Sequence, residues 1–133
     1  MAKSKDSDNK DIKKQRIKLG KYLRKCRGEK SLRSIALAVG LSPSNLMYIE
    51  EGITAPRPEI YIELIKKLEP EGKIKKDIER AYMLIREAPP PDVYEIIKNN
   101  EGLNDSLRII EGHTLTAEHL EELNTLLNSF IKI

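Results

Sequence analysis

Hydrophobic residues recur at helical spacing along almost the whole chain. Leu19, Leu23 and Cys26, at positions i, i+4 and i+7, predict the inner face of a first helix that spans about residues 11–27. Shorter amphipathic segments follow, separated by glycine, proline and asparagine, which favour turns. We therefore expect an all-α fold.

The spacing between Ile35 and Ile49 predicts two short helices that cross at a tight bend. Ala36 offers a small side chain where the second of them passes over the first, and Gly40 can adopt the positive φ of a sharp helix end. Leu46 and Ile49 lie one turn apart and face inward. This pattern is typical of a helix-turn-helix, whose outward face enters a DNA major groove. Here that face carries Ser44, Asn45 and Tyr48.

Residues that favour the ends of helices support this assignment. Ser31 is a good N-cap for helix 2, and Ser42 for helix 3, with Pro43 in the first turn of helix 3, where its missing N–H costs nothing. Gly52 ends helix 3. Helix 4 follows Pro56 and Pro58 and completes the core with Ile60, Tyr61, Leu64, Ile65 and Leu68.

Beyond Pro70 the helical pattern continues. A fifth helix carries the apolar stripe Ile74, Ile78, Ala81, Tyr82 and Ile85 and ends before Pro89, Pro90 and Pro91. Short helices are expected at 92–99 and 103–111, and a last one is capped by Thr116. The predicted organisation is a disordered basic arm (1–11), a helix-turn-helix domain (12–88) and a C-terminal helical region (89–133).

Positive charge is concentrated at one end of the chain. Residues 1–33 hold 13 Lys and Arg against 4 Asp and Glu, a net +9, while residues 34–133 hold 11 against 17, a net −6. A solvated lysine-rich tail would explain Lys3 to Lys14. The basic run continues beside helix 3, however, and this favours a phosphate-facing patch that includes Lys21, Arg24, Lys30 and Arg33.

Four segments together resemble the Cro and lambda-repressor type of helix-turn-helix domain, the Xre family. They are Leu19 to Arg27, Ser31 to Ala36, Gly40 to Leu46 and Ile49 to Gly52, and the resemblance covers roughly residues 19–68. It implies a five-helix Cro/lambda-repressor-like domain, here followed by a short C-terminal helical segment. The segment from Pro90 through Leu120 is also loosely similar to the C-terminal region of some Xre regulators.

The resemblance also implies roles for individual residues. It implies base contacts in the major groove from Pro43, Ser44 and Tyr48, and base or phosphate contacts from Ser42 and Asn45. Backbone contacts come from Ser31 and from the loop after Gly52, where Thr54 and Arg57 are the candidates. Lys25 and Glu50 match a buried Arg–Glu pair that links helices 1 and 3 in the family; alternatively they are two unrelated surface charges.

The sequence departs from the family pattern in three ways. Helix 3 has no Arg, Lys or Gln, Glu51 stands where a basic or neutral residue is usual, and Leu32 replaces a phosphate-binding Gln. We therefore expect DNA recognition to depend on shape, apolar contacts and the basic arm more than on bidentate hydrogen bonds.

The last helix carries an apolar stripe of Leu120, Leu123, Leu127 and Phe130. Their spacing in steps of three and four suits a dimer seam, and a dimer would present two headpieces to two half-sites. The alternative is that the stripe covers helices 4 and 5 of its own chain.

Other classes of function find little support in the sequence. It contains no phosphate loop, nucleophile elbow or zinc-protease motif, so we expect neither an enzyme nor a cofactor. His113 and His119 are six residues apart and are read as surface residues, not metal ligands. Cys26 is read as a small core residue, with a redox-sensing thiol as the alternative. With no apolar run of about 20 residues, a cytoplasmic protein without a membrane partner is expected.

The leading hypothesis is a sequence-specific regulator of transcription, a repressor that binds double-stranded DNA as a homodimer. One alternative is an antitoxin that uses the same headpiece and an additional segment to bind its toxin. Another is a protein-interaction module without DNA binding, suggested by Glu51 and the sparse polar face of helix 3. A protein partner such as a toxin or an anti-repressor is compatible with each of these hypotheses.

Overall fold

The computed structural model describes residues 5–131, with side chains from Lys10 to Ile131. All regular secondary structure in this range is helical, which confirms the predicted all-α class. The elements are α1 (Lys5–Arg27), α2 (Leu32–Ala38), α3 (Pro43–Glu50), α4 (Pro58–Leu68), α5 (Gly72–Arg86), α6 (Pro91–Asn99), α7 (Leu103–Arg108) and α8 (Ala117–Ile131).

The first helix is longer than predicted. It begins at Lys5, whereas the sequence suggests a start near Asp11 and a disordered arm over residues 1–11. The part of that arm from residue 5 onward is therefore helical, and residues 1–4 lie outside the described range. The physical reason is cooperativity: once packed residues further along have nucleated a helix, each added turn costs little even when its side chains are polar.

The predicted caps of α2 and α3 are present. The Ser31 hydroxyl accepts a hydrogen bond from the Ser34 amide at 3.0 Å, and the Ser42 hydroxyl accepts one from the Asn45 amide at 3.1 Å. Gly40, between the two helices, has a φ of +81°, which an L side chain would resist. Local sequence chemistry thus defines where these two helices begin and how the bend forms.

One hydrophobic core joins the first five helices. Its buried members include Leu19 and Leu23 of α1 and Ile35 and Ala36 of α2. Ala36 is completely buried, as its predicted position under α3 requires. The remaining buried members are Val39, Leu46, Ile49, Tyr61, Leu64, Leu68, Ile78, Ala81 and Tyr82. The predicted inner stripes of α1, α3, α4 and α5 are therefore the faces that pack.

Two tyrosines connect α4 to α5. The rings of Tyr61 and Tyr82 stack with centroids 4.0 Å apart and an angle of 27° between their planes. Both helices end on a non-glycine residue in the left-handed conformation, Glu69 and Glu87 respectively. The proline triplet follows the second of these ends, as the sequence predicts.

The chain divides into two compact units between Glu95 and Ile96, within α6. The predicted boundary lies earlier, after residue 88, at the proline triplet. Pro91 occupies the first position of α6, where a proline is compatible with a helix, so a new helix begins directly after the triplet.

Two of the C-terminal helices, α6 and α7, are short. α7 ends at Arg108 instead of the predicted Glu111, because the chain tightens there into i to i−3 hydrogen bonds from Ile109 and Ile110. α8 has the predicted cap, with the Thr116 hydroxyl accepting from the His119 amide at 3.1 Å. Across the described residues, no helix combines the length and the apolar character that crossing a bilayer requires.

Candidate nucleic-acid interface

The exposed face of α3 carries the side chains that the sequence assigns to base contacts. Leu46 and Ile49 are buried in the core, so the helix has only one free side. Ser42, Ser44, Asn45 and Tyr48 are exposed on it, and Pro43 is half-buried at the first turn. The structure therefore brings all five together on one short helix and its cap. Their groups are a pair of hydroxyls, an amide, a phenol and a pyrrolidine ring.

An Arg–Glu pair ties α3 to α1, but the cation is Arg27 and not the predicted Lys25. Arg27 donates from Nε to Glu50 Oε2 at 2.7 Å and from a terminal nitrogen to Glu50 Oε1 at 2.9 Å. The Glu50 side chain is only 7% exposed. The hydrogen bonds to Glu50 raise the pKa of Arg27 above its ordinary value, against an opposing effect of burial.

Helix geometry explains why Lys25 was the wrong choice. α1 crosses α3 at Gly20. The two backbones are so close there that a Cβ added to Gly20 would collide with the carbonyl oxygens of Ile49 and Glu50. Arg27 is seven residues from Gly20, two helical turns, and so lies on the same face. Lys25 is five residues away, about 140° around the helix, and it is exposed. Gly20 is thus the signal in the sequence that would have identified Arg27.

The loop after α3 is held from two sides. Gly52, at a φ of +78°, packs so closely on α1 that an added Cβ would lie 2.6 Å from the Ile17 Cα. Arg16 donates from Nε to the Gly52 carbonyl at 3.3 Å. At the other end, Arg86 of α5 donates to the carbonyl of Pro56 at 2.6 Å. The segment with the predicted backbone contacts Thr54 and Arg57 is therefore anchored to the core helices.

The predicted cationic contacts all lie on the surface. Lys21, Arg24, Lys30 and Arg33 are exposed, as are Thr54 and Arg57. The Ser31 hydroxyl is engaged as the α2 cap, and its hydrogen is still able to be donated to an anion. These residues come from α1, from the start of α2 and from the loop after α3.

Sequence reasoning missed three exposed apolar side chains, on α2, on α3 and in the loop after α3. Leu37 of α2 is 64% exposed, Ile53 of the loop is 56% exposed and Met47 of α3 is 39% exposed. The signal was available, because Leu37 follows the buried pair Ile35 and Ala36 and so faces outward on a short helix.

The predicted dimer stripe of α8 is exposed along its length. Leu120, Leu123, Leu127 and Phe130 retain 45%, 39%, 48% and 69% of their surface. The acidic residues Glu118, Glu121 and Glu122 occupy the other side of the helix, where they line a shallow depression with Thr125, Leu126 and Ser129. At 100° per residue the apolar stripe itself has no charged member.

The remaining chemistry-bearing groups form no compact site. Within residues 10–131, no three His, Cys, Asp or Glu side chains are placed to share a metal ion. Cys26 is half-buried against the core, and this burial raises the pKa of its thiol despite the nearby Lys25 charge. The thiolate needed for redox chemistry is disfavoured accordingly.

Comparisons with protein-family models, with curated proteins and with solved structures found no match to this chain. Its function must therefore be argued from the arrangement of its own residues.

Proposed function

We propose that the protein binds double-stranded DNA in a sequence-specific manner and represses transcription as a homodimer. α3 would act as the recognition helix in the major groove, with α2 crossing above it. The observation that carries this proposal is the face of Ser44, Asn45 and Tyr48 on a helix capped at its N-terminus by Ser42. α3 is one of five helices, α1–α5, that share one hydrophobic core, and this supports the five-helix domain that the resemblance implies.

The rigidity of α3 supports a role in recognition. Base contacts discriminate only if the side chains are held in a defined register. α3 is held at its start by the Ser42 cap and at its end by the bidentate Arg27–Glu50 pair and the close approach of Gly20. Exposed cations next to it would bind phosphates and orient the headpiece without contributing sequence information.

The chemistry of the face suggests how bases would be distinguished. Asn45 has the donor and acceptor pair that matches the N6 and N7 positions of adenine, and Ser44 can donate or accept. The Tyr48 ring and Pro43 can pack on thymine methyl groups. With no Arg or Lys on α3, the usual bidentate contact to guanine is absent from the helix. We therefore expect operators rich in A·T pairs at the positions under α3.

The homodimer would form through α8. Its apolar stripe is uncharged and exposed, so a second copy could cover it without bringing the acidic residues of both chains together. A dimer would place two headpieces roughly 34 Å apart on one side of a duplex and gain affinity through effective concentration.

A direct test is a gel-shift titration of the full chain against the promoter region of its own gene, with a shuffled duplex of equal length as competitor. The proposal expects a discrete complex that the shuffled competitor removes far less well than the unlabelled promoter. If both duplexes compete equally well, sequence-specific recognition is ruled out.

A second candidate is a protein-interaction module, favoured by the exposed apolar residues Leu37, Met47 and Ile53. If this function is correct, Leu37→Ser will abolish the binding of a protein partner while duplex affinity is already negligible in the unmodified chain. The gel-shift titration therefore separates the two candidates before any partner is known.

A further inference from the structure

A continuous basic surface runs along the outer side of α1. At 100° per residue, seven exposed cations fall within an arc of about 140°. Leu19 and Leu23, on the opposite side of the helix, are almost fully buried. We call this surface the α1 basic face; its members are Lys10, Lys13, Lys14, Lys18, Lys21, Arg24 and Lys25.

Part of this face is a cluster of lysines on successive turns of α1. Five of its lysines, together with Ile17, line a shallow depression of about 350 Å³. The lining residues are Lys10, Lys13, Lys14, Ile17, Lys18 and Lys21, and none of these six is acidic. A patch of one sign of charge attracts polyanions.

Neighbouring elements leave this side of α1 free. On one flank, Gly20 packs against the end of α3; Gly52 approaches Ile17, which lies within the arc of the basic face. On the other, Gln15 and Tyr22 border a cleft shared with α5. The exposed cations lie between Gly20 on one side and Gln15 and Tyr22 on the other. Lys10, Lys13 and Lys14 extend about two to three turns beyond the crossing with α3 at Gly20.

We propose that the α1 basic face binds the phosphate backbone of duplex DNA independently of base sequence, next to the half-site that α3 would recognise. This inference rests on the proposed function for the identity of its ligand and extends it to residues outside the set of backbone contacts predicted from the sequence. The added contacts are Lys10, Lys13, Lys14 and Lys18.

Charge spacing favours a nucleic acid over other anionic partners. The seven cations occupy roughly 22 Å of helix, about one per 3 Å, and each strand of a duplex presents one phosphate per about 3.4 Å of axis. A membrane-bound helix needs an exposed apolar face to insert, but the apolar face of α1 is in the core. The lysines are therefore suited to phosphates in solution and not to a lipid surface.

The test compares two variants of the full chain in which the same amount of charge is removed. In one, Lys10, Lys13, Lys14 and Lys18 are changed to Gln; in the control, the exposed Lys66, Lys67, Lys75 and Lys76 of α4 and α5 are changed to Gln. Fluorescence anisotropy measures binding to a random-sequence duplex over a series of salt concentrations. Circular dichroism and thermal unfolding verify that both variants are folded.

We expect the α1 variant to bind the random duplex roughly tenfold or more weakly at low salt, with the control close to the unmodified chain. The slope of log affinity against log salt should become shallower by roughly 0.9 for each phosphate that the variant no longer neutralises. If both variants bind equally weakly, the loss of affinity follows from net charge alone and the proposal is overturned. Unchanged affinity in the α1 variant would also overturn it.

Two further measurements separate this inference from the proposed function. Asn45→Ala with Tyr48→Ala should retain random-duplex binding, because those residues lie on α3 and not on α1. If the unmodified chain shows no sequence preference but the α1 variant still binds more weakly, the proposed function fails and the inference stands. Lysine-dependent binding to phosphatidylcholine vesicles containing one-fifth phosphatidylserine, without lysine-dependent binding to DNA, would overturn the inference.

Discussion

Arg27 and Glu50 join the end of α1 to the last turn of α3 by two parallel hydrogen bonds of 2.7 and 2.9 Å. The fork of the guanidinium matches the two oxygens of the carboxylate, which lysine could not do. Arg27 also donates to the carbonyl of Lys30 at 2.7 Å, so the same side chain shapes the link between α1 and α2. The position of the proposed recognition helix thus depends on one side chain from outside it.

Removing one partner of this ion pair should destabilise the fold. Arg27→Ala leaves the largely buried Glu50 carboxylate without its partner, and we expect a decrease of about 2–3 kcal/mol in the free energy of unfolding, measured by urea denaturation. Arg27→Met with Glu50→Leu should recover most of that decrease, because no unpaired charge stays buried. Lys25→Ala is the matched control and should change stability by less than about 0.5 kcal/mol. A larger effect at Lys25 than at Arg27 would contradict the observed pairing.

Gly20→Ala should destabilise the protein although alanine is the better helix former. In an unpacked helix this change gains about 1 kcal/mol. Here the new methyl group would meet the carbonyl oxygens of Ile49 and Glu50, which cannot move without displacing α3. We expect a net decrease of about 1–3 kcal/mol in the free energy of thermal or urea unfolding. A gain in stability would show that α1 and α3 are further apart than the structure has them.

The buried tyrosine of α4 should make the protein sensitive to alkaline pH. Burial of Tyr61, and to a lesser degree the charges of Glu79 and Asp92, raise the pKa of its phenol well above the ordinary value of 10.0. The unfolded chain therefore loses this proton at a lower pH than the folded chain does. The resulting stability is complete below about pH 10 and is lost as the pH rises further.

Tyr61→Phe should make this alkaline loss of stability shallower. The measurement is the urea midpoint at pH 8 and at successive values above pH 10. Tyr48→Phe serves as the control because its ring lies on the exposed face of α3 and not in the core. An identical pH profile for the unmodified chain and Tyr61→Phe would contradict the assignment.

Substitutions on the α3 face should affect DNA binding and not folding. Asn45→Ala and Tyr48→Ala should each cost about 1–3 kcal/mol in specific operator binding for a well-formed base contact. Both side chains are exposed, so thermal unfolding should be nearly unchanged. Exposed Lys75 on α5 provides a control position, and its change to Ala should leave the operator affinity close to that of the unmodified chain. Unchanged operator affinity in both α3 variants would exclude α3 as the recognition helix.

The dimer seam can be tested on α8. Leu123→Asp with Leu127→Asp places two charges in the middle of the apolar stripe, and we expect a folded monomer by light scattering with weaker operator binding. Glu121→Gln with Glu122→Gln, on the opposite side of the helix, is the control and should leave the dimer intact. An unchanged dimer in the Asp variant, or a chain that unfolds as a whole, would count against α8 as the seam.

Features of the fold that depend on a few neighbouring residues could be predicted from the sequence. The Ser31, Ser42 and Thr116 caps, the Gly40 bend and the inner stripes of the helices all result from short-range hydrogen bonding and helical periodicity. The same periodicity also identified the exposed face of α3. Those parts of the candidate site could therefore be predicted from the sequence alone.

Only the tertiary structure decided which residues meet across helices. It paired Glu50 with Arg27 and not with Lys25, and it made Gly20 the point where α1 passes over α3. It also extended α1 back to Lys5, so that Lys10, which belongs to the predicted disordered arm, lies on the same helical face as Lys13, Lys14 and Lys18. These features depend on crossing angles and cooperative helix growth, which are set by the whole core and leave no mark in a short window of sequence.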